Sequence, residues 1–199
     1  MMPFRDTSAI ILSAGNSERM GGHKALLKFD SERTFLQKIT ETYLLAGIDQ
    51  VIVVVNSELF KLIGESSLAL SSQVKLVVNN KPERGRFYSL QTGVKLFPPG
   101  NSCFFQNIDN PFTSEELLKE LIRYKDQTDV IMPSYQGRAG HPVLISQSVV
   151  QEILIAEDPD LRIDVFLNKF KVKKVTTTDR SISANINSRE DYLDAGFSI

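Results

Sequence analysis

Residues 9–29 read AIILSAGNSERMGGHKALLKF, and the fold turns on them. The apolar run Ala9–Leu12 opens into Ser13-Ala14-Gly15-Asn16-Ser17, followed by Arg19, Gly21-Gly22 and Lys24. That order describes a buried strand feeding a flexible loop with two cations. Glycines let backbone N–H groups close on an anion, and Arg and Lys neutralise it, so the loop suits a polyphosphate. An ordinary polar connection after a strand has much the same composition, and the stretch alone leaves both readings open. Two familiar phosphate motifs are excluded by spacing. Lys24 is neither preceded by Gly nor followed by Ser or Thr, as a P-loop requires, and Gly15 has no glycine two positions on, as a dinucleotide fingerprint requires.

Further strand-like runs follow at Val51–Val55, Val74–Val78, Cys103–Ile108, Val130–Met132, Val143–Ile145 and Val172–Thr177. Several are continuously apolar, which suits strands covered on both faces. Between them lie helical patterns. Thr34 and Gln37 form a capping box before Phe35, Ile39 and Tyr43, with Gly47 as the stop. Leu90, Val94 and Phe97 mark a second helix, ended by Pro98-Pro99-Gly100. Thr113 and Glu116 cap a third, with Leu117, Leu118, Leu121 and Ile122 as its apolar stripe. Ser148–Ile155, Asp164–Phe170 and a short segment opened by Ser188 and Asp191 complete the set. Alternation of this kind predicts an α/β layered fold with a mostly parallel sheet, and residues 135–174 are expected to include an antiparallel or lid-like part. Residues 1–199 are read as one domain, since no repeat or linker divides them.

Composition narrows the function. The 199 residues are 42% apolar and 24% charged, with 23 Lys+Arg against 24 Asp+Glu. That balance argues against a broadly basic nucleic-acid binder and confines any anion site to a local patch. No apolar run approaches the ~20 residues of a membrane span, and the N-terminus lacks a secretory pattern. Cys103 is the only cysteine and sits in an apolar run, as a structural thiol does. The expectation is a cytoplasmic globular protein without nucleic-acid or membrane partners. Ligands of open α/β sheets sit beyond the strands' carboxyl ends, which points to Ser13–Lys24, Asn56, Asn79-Asn80 and Asp109-Asn110-Pro111.

The loop residues also resemble a known signature. Leu12-Ser13-Ala14-Gly15-x-Ser17-x-Arg19-Met20-Gly21-x-x-Lys24-x-Leu26-Leu27 is similar to the L-x-[AG]-G-x-S-x-R-M-G-x-x-K-x-L-L motif of the nucleotidyltransferases that attach nucleotides to molybdopterin. Gly85–Gly93 resembles the family's G-x-x-x-S-L-x-x-G segment, Ile108–Phe112 its G-D-x-P metal turn, Gly140–Leu144 its G-H-P-[VI]-L segment, and Asn185–Tyr192 its closing [DN]-[IV]-[DN]-T-P-E-D motif. The resemblance implies a nucleotide-diphospho-sugar transferase fold, a three-layer α/β/α sandwich with a mixed, mostly parallel sheet. It also implies Mg²⁺-dependent transfer of a nucleotide from a triphosphate to a phosphorylated acceptor, with molybdopterin the candidate. A molybdoenzyme or maturation protein is the implied protein partner.

On this reading Arg19, Lys24 and Asp109 are catalytic: two cations on the phosphates and a carboxylate for the metal. Leu12, Ser13, Ala14, Gly15, Asn16, Ser17, Lys24, Asn56, Asn79, Gly85 and Ser89 are the nucleotide-binding candidates. His141 and Arg86 are acceptor candidates, and Asp109, Asn187 and Asn185 metal candidates. The chain departs from the pattern at Ile108, where the family has glycine, at Asn185 and Asn187, where the cytidylyltransferase branch has Asp, and at Arg189, where it has Pro. Ser13-Ala14-Gly15 and Gly140-His141-Pro142 favour CTP over GTP, while the two asparagines point the other way. A transferase acting on a sugar phosphate, and a nucleotide-binding homologue without catalysis, stand as alternatives.

Overall fold

A computed structural model describes residues 4–15, 20, 22–158 and 161–197. Strand β1 (Thr7–Ser13) is buried along its whole length and pairs in parallel with β2 (Val51–Val55) on one side and β4 (Ser102–Asn107) on the other. β3 (Val74–Val78) extends the sheet beyond β2, also in parallel. Beyond β4 come β7 (Val143–Ile145), then β5 (Val130–Tyr135), which also pairs with β6 (Arg138–Ala139) and with β8 (Val172–Thr176). β7 runs antiparallel to both β4 and β5, whereas β8 is parallel to β5. The result is an eight-stranded, mostly parallel mixed sheet.

Side-chain alternation along the strands assigns the two faces. Ala9, Ile11, Val51, Val53, Val55 and Phe104 pack with helices α1 (Phe35–Ala46), α2 (Ser57–Glu65), α4 (Glu115–Ile122) and α7 (Arg189–Asp194). Ile10, Leu12, Ile52, Val54, Cys103 and Phe105 pack with α3 (Gly85–Val94), α5 (Gln147–Ile155) and α6 (Ile163–Leu167). Both faces of the central strands are dry, which explains their unbroken apolar runs. Burial also pushes the Cys103 thiol well above its ordinary range, as befits an inert core group.

Local chemistry sets most boundaries. The Thr34/Gln37 capping box opens α1, and Gly47, at φ 98°, closes it. Ser188 and Asp191 make the same box for α7, whose first residue is Arg189. Ser114, rather than Thr113, caps α4 by accepting from the Leu117 N–H. Thr113 instead donates to the buried Gln106 side chain, a partner that sequence spacing does not reveal. α6 covers Ile163–Leu167 rather than Asp164–Phe170, and α5 begins one residue earlier than expected. α2 answers no pattern noted in the sequence; Asn56, a nucleotide-binding candidate there, is its N-cap. The antiparallel part within residues 135–174 begins as a tight hairpin, with Gln136 (φ 48°) and Gly137 (φ 80°) both left-handed between β5 and β6.

Candidate active site

From β1 the chain steps outward to β2 and β3, then returns to place β4 on the other side of β1. Such a reversal opens a crevice at the strands' carboxyl ends. Here it is a cavity of about 600 Å³. β1 contributes Leu12, Ser13, Ala14 and Gly15; α3 contributes Gly85, Arg86 and Ser89; the end of β4 contributes Asn107, Ile108 and Asp109. Lys24, from a 3-10 turn over Lys24–Leu26, and Asn187, just before α7, complete the wall.

Lys24, Asp109 and Asn187 form the polar centre. Lys24 Nζ donates to Asn187 Oδ1 at 2.8 Å and lies 3.7 Å from Asp109 Oδ2. Burial raises the proton affinity of Asp109, partly opposed by the positive charges of Lys24 and Arg86. Its Oδ1 is buried and has no hydrogen-bond partner among the described residues.

The Asp109 turn is built from below. Gln106 accepts from Tyr43 and Thr113 hydroxyls at 2.7 and 2.8 Å, and its amide donates to the Asn110 carbonyl at 2.9 Å. Asn110 in turn donates to the Ser181 and Ile182 carbonyls, and the Asp109 carbonyl accepts from the Ile186 N–H. Gln106 and Asn110 therefore position the carboxylate; Asn110 is expected at the ligand edge from the sequence, whereas Gln106 drew no notice there. Ile108 is 7% exposed, its side chain part of the same core cluster as α1 and α4. Asp191 accepts from the Asn187 and Ser188 N–H groups, so the α7 cap also holds the segment carrying Asn187.

The other nucleotide-binding candidates divide. Asn56 accepts from the Leu59 N–H and donates to the Ala14 carbonyl at 3.4 Å, so it supports the end of β1 from behind. Asn79 donates to Ser89 Oγ at 2.9 Å and accepts from the Lys81 N–H, bracing the start of α3. Neither lines the cavity. Arg19, Asn16 and Ser17 lie outside the described residues.

A second cavity of about 510 Å³ adjoins the first, and Arg86 and Asn107 line both. It contains His141 and also Asn185, which the structure thus separates from Asp109 and Asn187. His141 reaches this wall because β7 runs backward, bringing its leading end to the edge where β4 finishes. The His141 ring lies 3.2 Å from the Asn107 amide through Nε2, and Nδ1 is buried with no partner among the described residues. Burial, with the charge of Arg86, pushes its pKa down to about 4, so the ring is neutral at ordinary pH.

The MobA-like NTP transferase domain profile matches residues 9–169. The chain belongs to the MobA-like NTP transferase family. Its relatives include a probable molybdenum cofactor guanylyltransferase of Natranaerobius thermophilus, 26% identical over 96% of this chain and 95% of that one. Another, named nicotine blue oxidoreductase, comes from Paenarthrobacter nicotinovorans and is 23% identical over 92% and 93%. Among solved structures, Rv0371c of Mycobacterium tuberculosis superposes with a TM-score of 0.80 at 21% identity, covering 97% and 99% of the two chains. A manganese complex of Rv0371c superposes at 0.75, with 20% identity over 94% and 96%. These likenesses agree with the nucleotide-diphospho-sugar transferase fold. This MobA-like transferase is thus a nucleotidyltransferase, and enzymes of its kind typically use a divalent metal.

The donor set here fits such an ion. Asp109 offers a carboxylate with one unpartnered buried oxygen, and Asn187 an amide oxygen on the same wall. Among the described residues no group of three or more His, Cys, Asp or Glu could enclose a metal. That suits a hard cation which takes one or two protein oxygens and draws its other ligands from phosphates and water. Also among the described residues, no helix is long and apolar enough to cross a membrane.

Proposed function

We propose that this MobA-like transferase moves a nucleoside monophosphate from a triphosphate, CTP in preference to GTP, onto the phosphate of an acceptor, with molybdopterin the candidate and Mg²⁺ the metal. The observation that carries the reading is the convergence of Lys24, Asp109 and Asn187 in the crevice between β1 and β4, facing Gly15 and the start of α3. In the reaction an acceptor phosphate oxygen forms a bond to the α-phosphorus while the bond to the bridging oxygen of pyrophosphate breaks. A phosphate dianion needs no base to do this, so the protein's work is orientation and charge stabilisation.

The chain's residues divide that work. The backbone from Leu12 to Gly15 can approach base and phosphates closely, since a side chain is missing at Gly15 and, among the described residues, none intrudes within 4 Å of its Cβ position. Lys24 places an ammonium beside the transferred phosphate, and Gly85 and Ser89 bound the same space from α3. Asp109 and Asn187 would hold Mg²⁺, which when bound supplies Lewis-acid stabilisation of charge on the phosphate oxygens.

Pyrophosphate release is the test, run with each of the four triphosphates, Mg²⁺, and either molybdopterin or a sugar phosphate. We expect turnover with CTP and molybdopterin, and loss of about 100-fold or more for Asp109→Ala. Turnover only with a sugar phosphate would overturn the acceptor, and none with any pair by the folded protein would overturn the activity.

A further inference from the structure

Two cavities meeting at one wall pose an electrostatic problem, because nucleotidyl transfer brings a phosphate dianion against a polyanionic triphosphate. In-line displacement places the incoming oxygen opposite the leaving pyrophosphate. The two anions therefore meet from different sides of the α-phosphorus, at the junction of the cavities. Lys24 lines only the first cavity and Lys174 only the second. Arg86 lines both, from the first turn of α3.

We infer that Arg86 is the acceptor-binding residue of this enzyme, its guanidinium gripping the acceptor's phosphate monoester at the junction while the acceptor's body occupies the second cavity. The inference rests on the nucleotidyl-transfer reading above. Its sign and shape fit: a guanidinium is permanently charged and meets phosphate oxygens through a two-pronged fork. Its positive charge is felt on both sides of the junction, at Asp109 and at His141. Among the described residues the side chain has no ion pair or hydrogen bond of its own. Its neighbour Arg84 is differently engaged, stacked 5.2 Å from the Tyr88 ring centroid. The body of the second cavity is mixed, with Phe105, Met132 and Leu167 beside His141 and Asn168, so it suits an acceptor with an apolar surface and a few polar edges. A neutral His141 adds no charge to that wall; of the charged groups there, Lys174 and Asp164 line the second cavity alone, and Arg86 is the one that also reaches the first.

The experiment uses phenyl phosphate, a phosphate monoester with an apolar body, titrated calorimetrically into the wild-type protein and into Arg86→Ala, Arg86→Lys and Arg84→Ala. We expect Arg86→Ala to weaken binding about tenfold or more, Arg86→Lys to recover part of it, and Arg84→Ala to stay within about twofold. Wild-type affinity should rise as pH passes ~6, where the monoester takes its second charge. Arg86 is exposed, so the variants should melt like the wild type, which a melting curve checks. Equal binding by wild type and Arg86→Ala overturns the assignment, as does a wild type that does not bind phenyl phosphate. A variant that loses CTP affinity but not phenyl phosphate affinity also overturns it, by giving Arg86 to the nucleotide. Failure of the pyrophosphate assay is a separate result: Arg86-dependent binding without turnover would remove the transferase reading and leave the phosphate grip in place.

Discussion

Burial raises the proton affinity of Asp109 even though Lys24 stands 3.7 Å away and the charge of Arg86 acts in the same direction. The folded protein therefore carries this carboxylate at a cost, and the cost is present when the group is ionised. The native pKa lies above the unfolded value, so the folded state takes up the proton first as pH falls, and the penalty is relieved between the raised native value and about 3.8. Asp109→Asn keeps the shape and removes the charge. At neutral pH it should raise the melting temperature, because the penalty of burying the ionised group is removed. The same variant should lose divalent-dependent pyrophosphate release. Calorimetry and the turnover assay together check the pair; a lower melting temperature would show that the Lys24 contact outweighs the burial.

Helices α3 and α7 position Gly85, Arg86, Ser89 and Asn187 in the site, and each depends on a small detail. α3 lies close on β1 because Gly93 faces Ile10: a methyl group there would meet Ile10 Cδ1 at 2.8 Å. α7 has only six residues and is held by its capping box, with Asp191 accepting from both the Asn187 and Ser188 N–H groups. Losing such a cap costs about 1 kcal/mol. Asp191→Ala should therefore destabilise the protein by roughly that amount in chemical denaturation. It should also weaken triphosphate binding in the presence of Mg²⁺ several-fold, because Asn187 loses its tether. A stability loss with unchanged triphosphate affinity would make α7 a structural element alone. The α7 cap was legible in the sequence since both partners lie within one turn. The α4 cap was not, because Thr113 satisfies the capping pattern equally well and only the buried Gln106 side chain draws it away.

Over the whole molecule, the central strands and their order of alternation with helices could be read from apolar runs bounded by turn formers. What resisted reading was everything decided by distant partners. Asn56 and Asn79 stand at strand ends, where ligand residues gather, yet their amides are taken up by Ala14, Leu59, Lys81 and Ser89. Asn185 and Asn187 are two residues apart but line different cavities. His141 could be noticed as part of a motif, but its neutrality follows from burial and from Arg86, neither visible in its own segment. That neutrality has a global consequence. The unfolded chain protonates this histidine near 6.5 and the native protein only near 4, so the stability curve should fall as pH drops through that interval. The fall is on the order of 3 kcal/mol by pH 4, at ~1.4 kcal/mol per pH unit of difference. His141→Asn should flatten it in denaturation curves taken between pH 7 and 4; an unchanged slope would assign the acid sensitivity to other groups.

The reversed strand β7 bears on how such a protein changes its substrates. Because that strand enters the sheet from the opposite end, His141 arrives at the catalytic edge from a part of the chain remote from the loop after β1. Apart from Asn187, the first cavity is written in residues 12–109, and most of the second in residues 132–185. On the proposed reading the two substrates are encoded in separate lengths of polypeptide that meet at Asn107 and Arg86. A lineage could exchange one acceptor for another by rewriting the later length, while the machinery that handles the triphosphate is inherited intact.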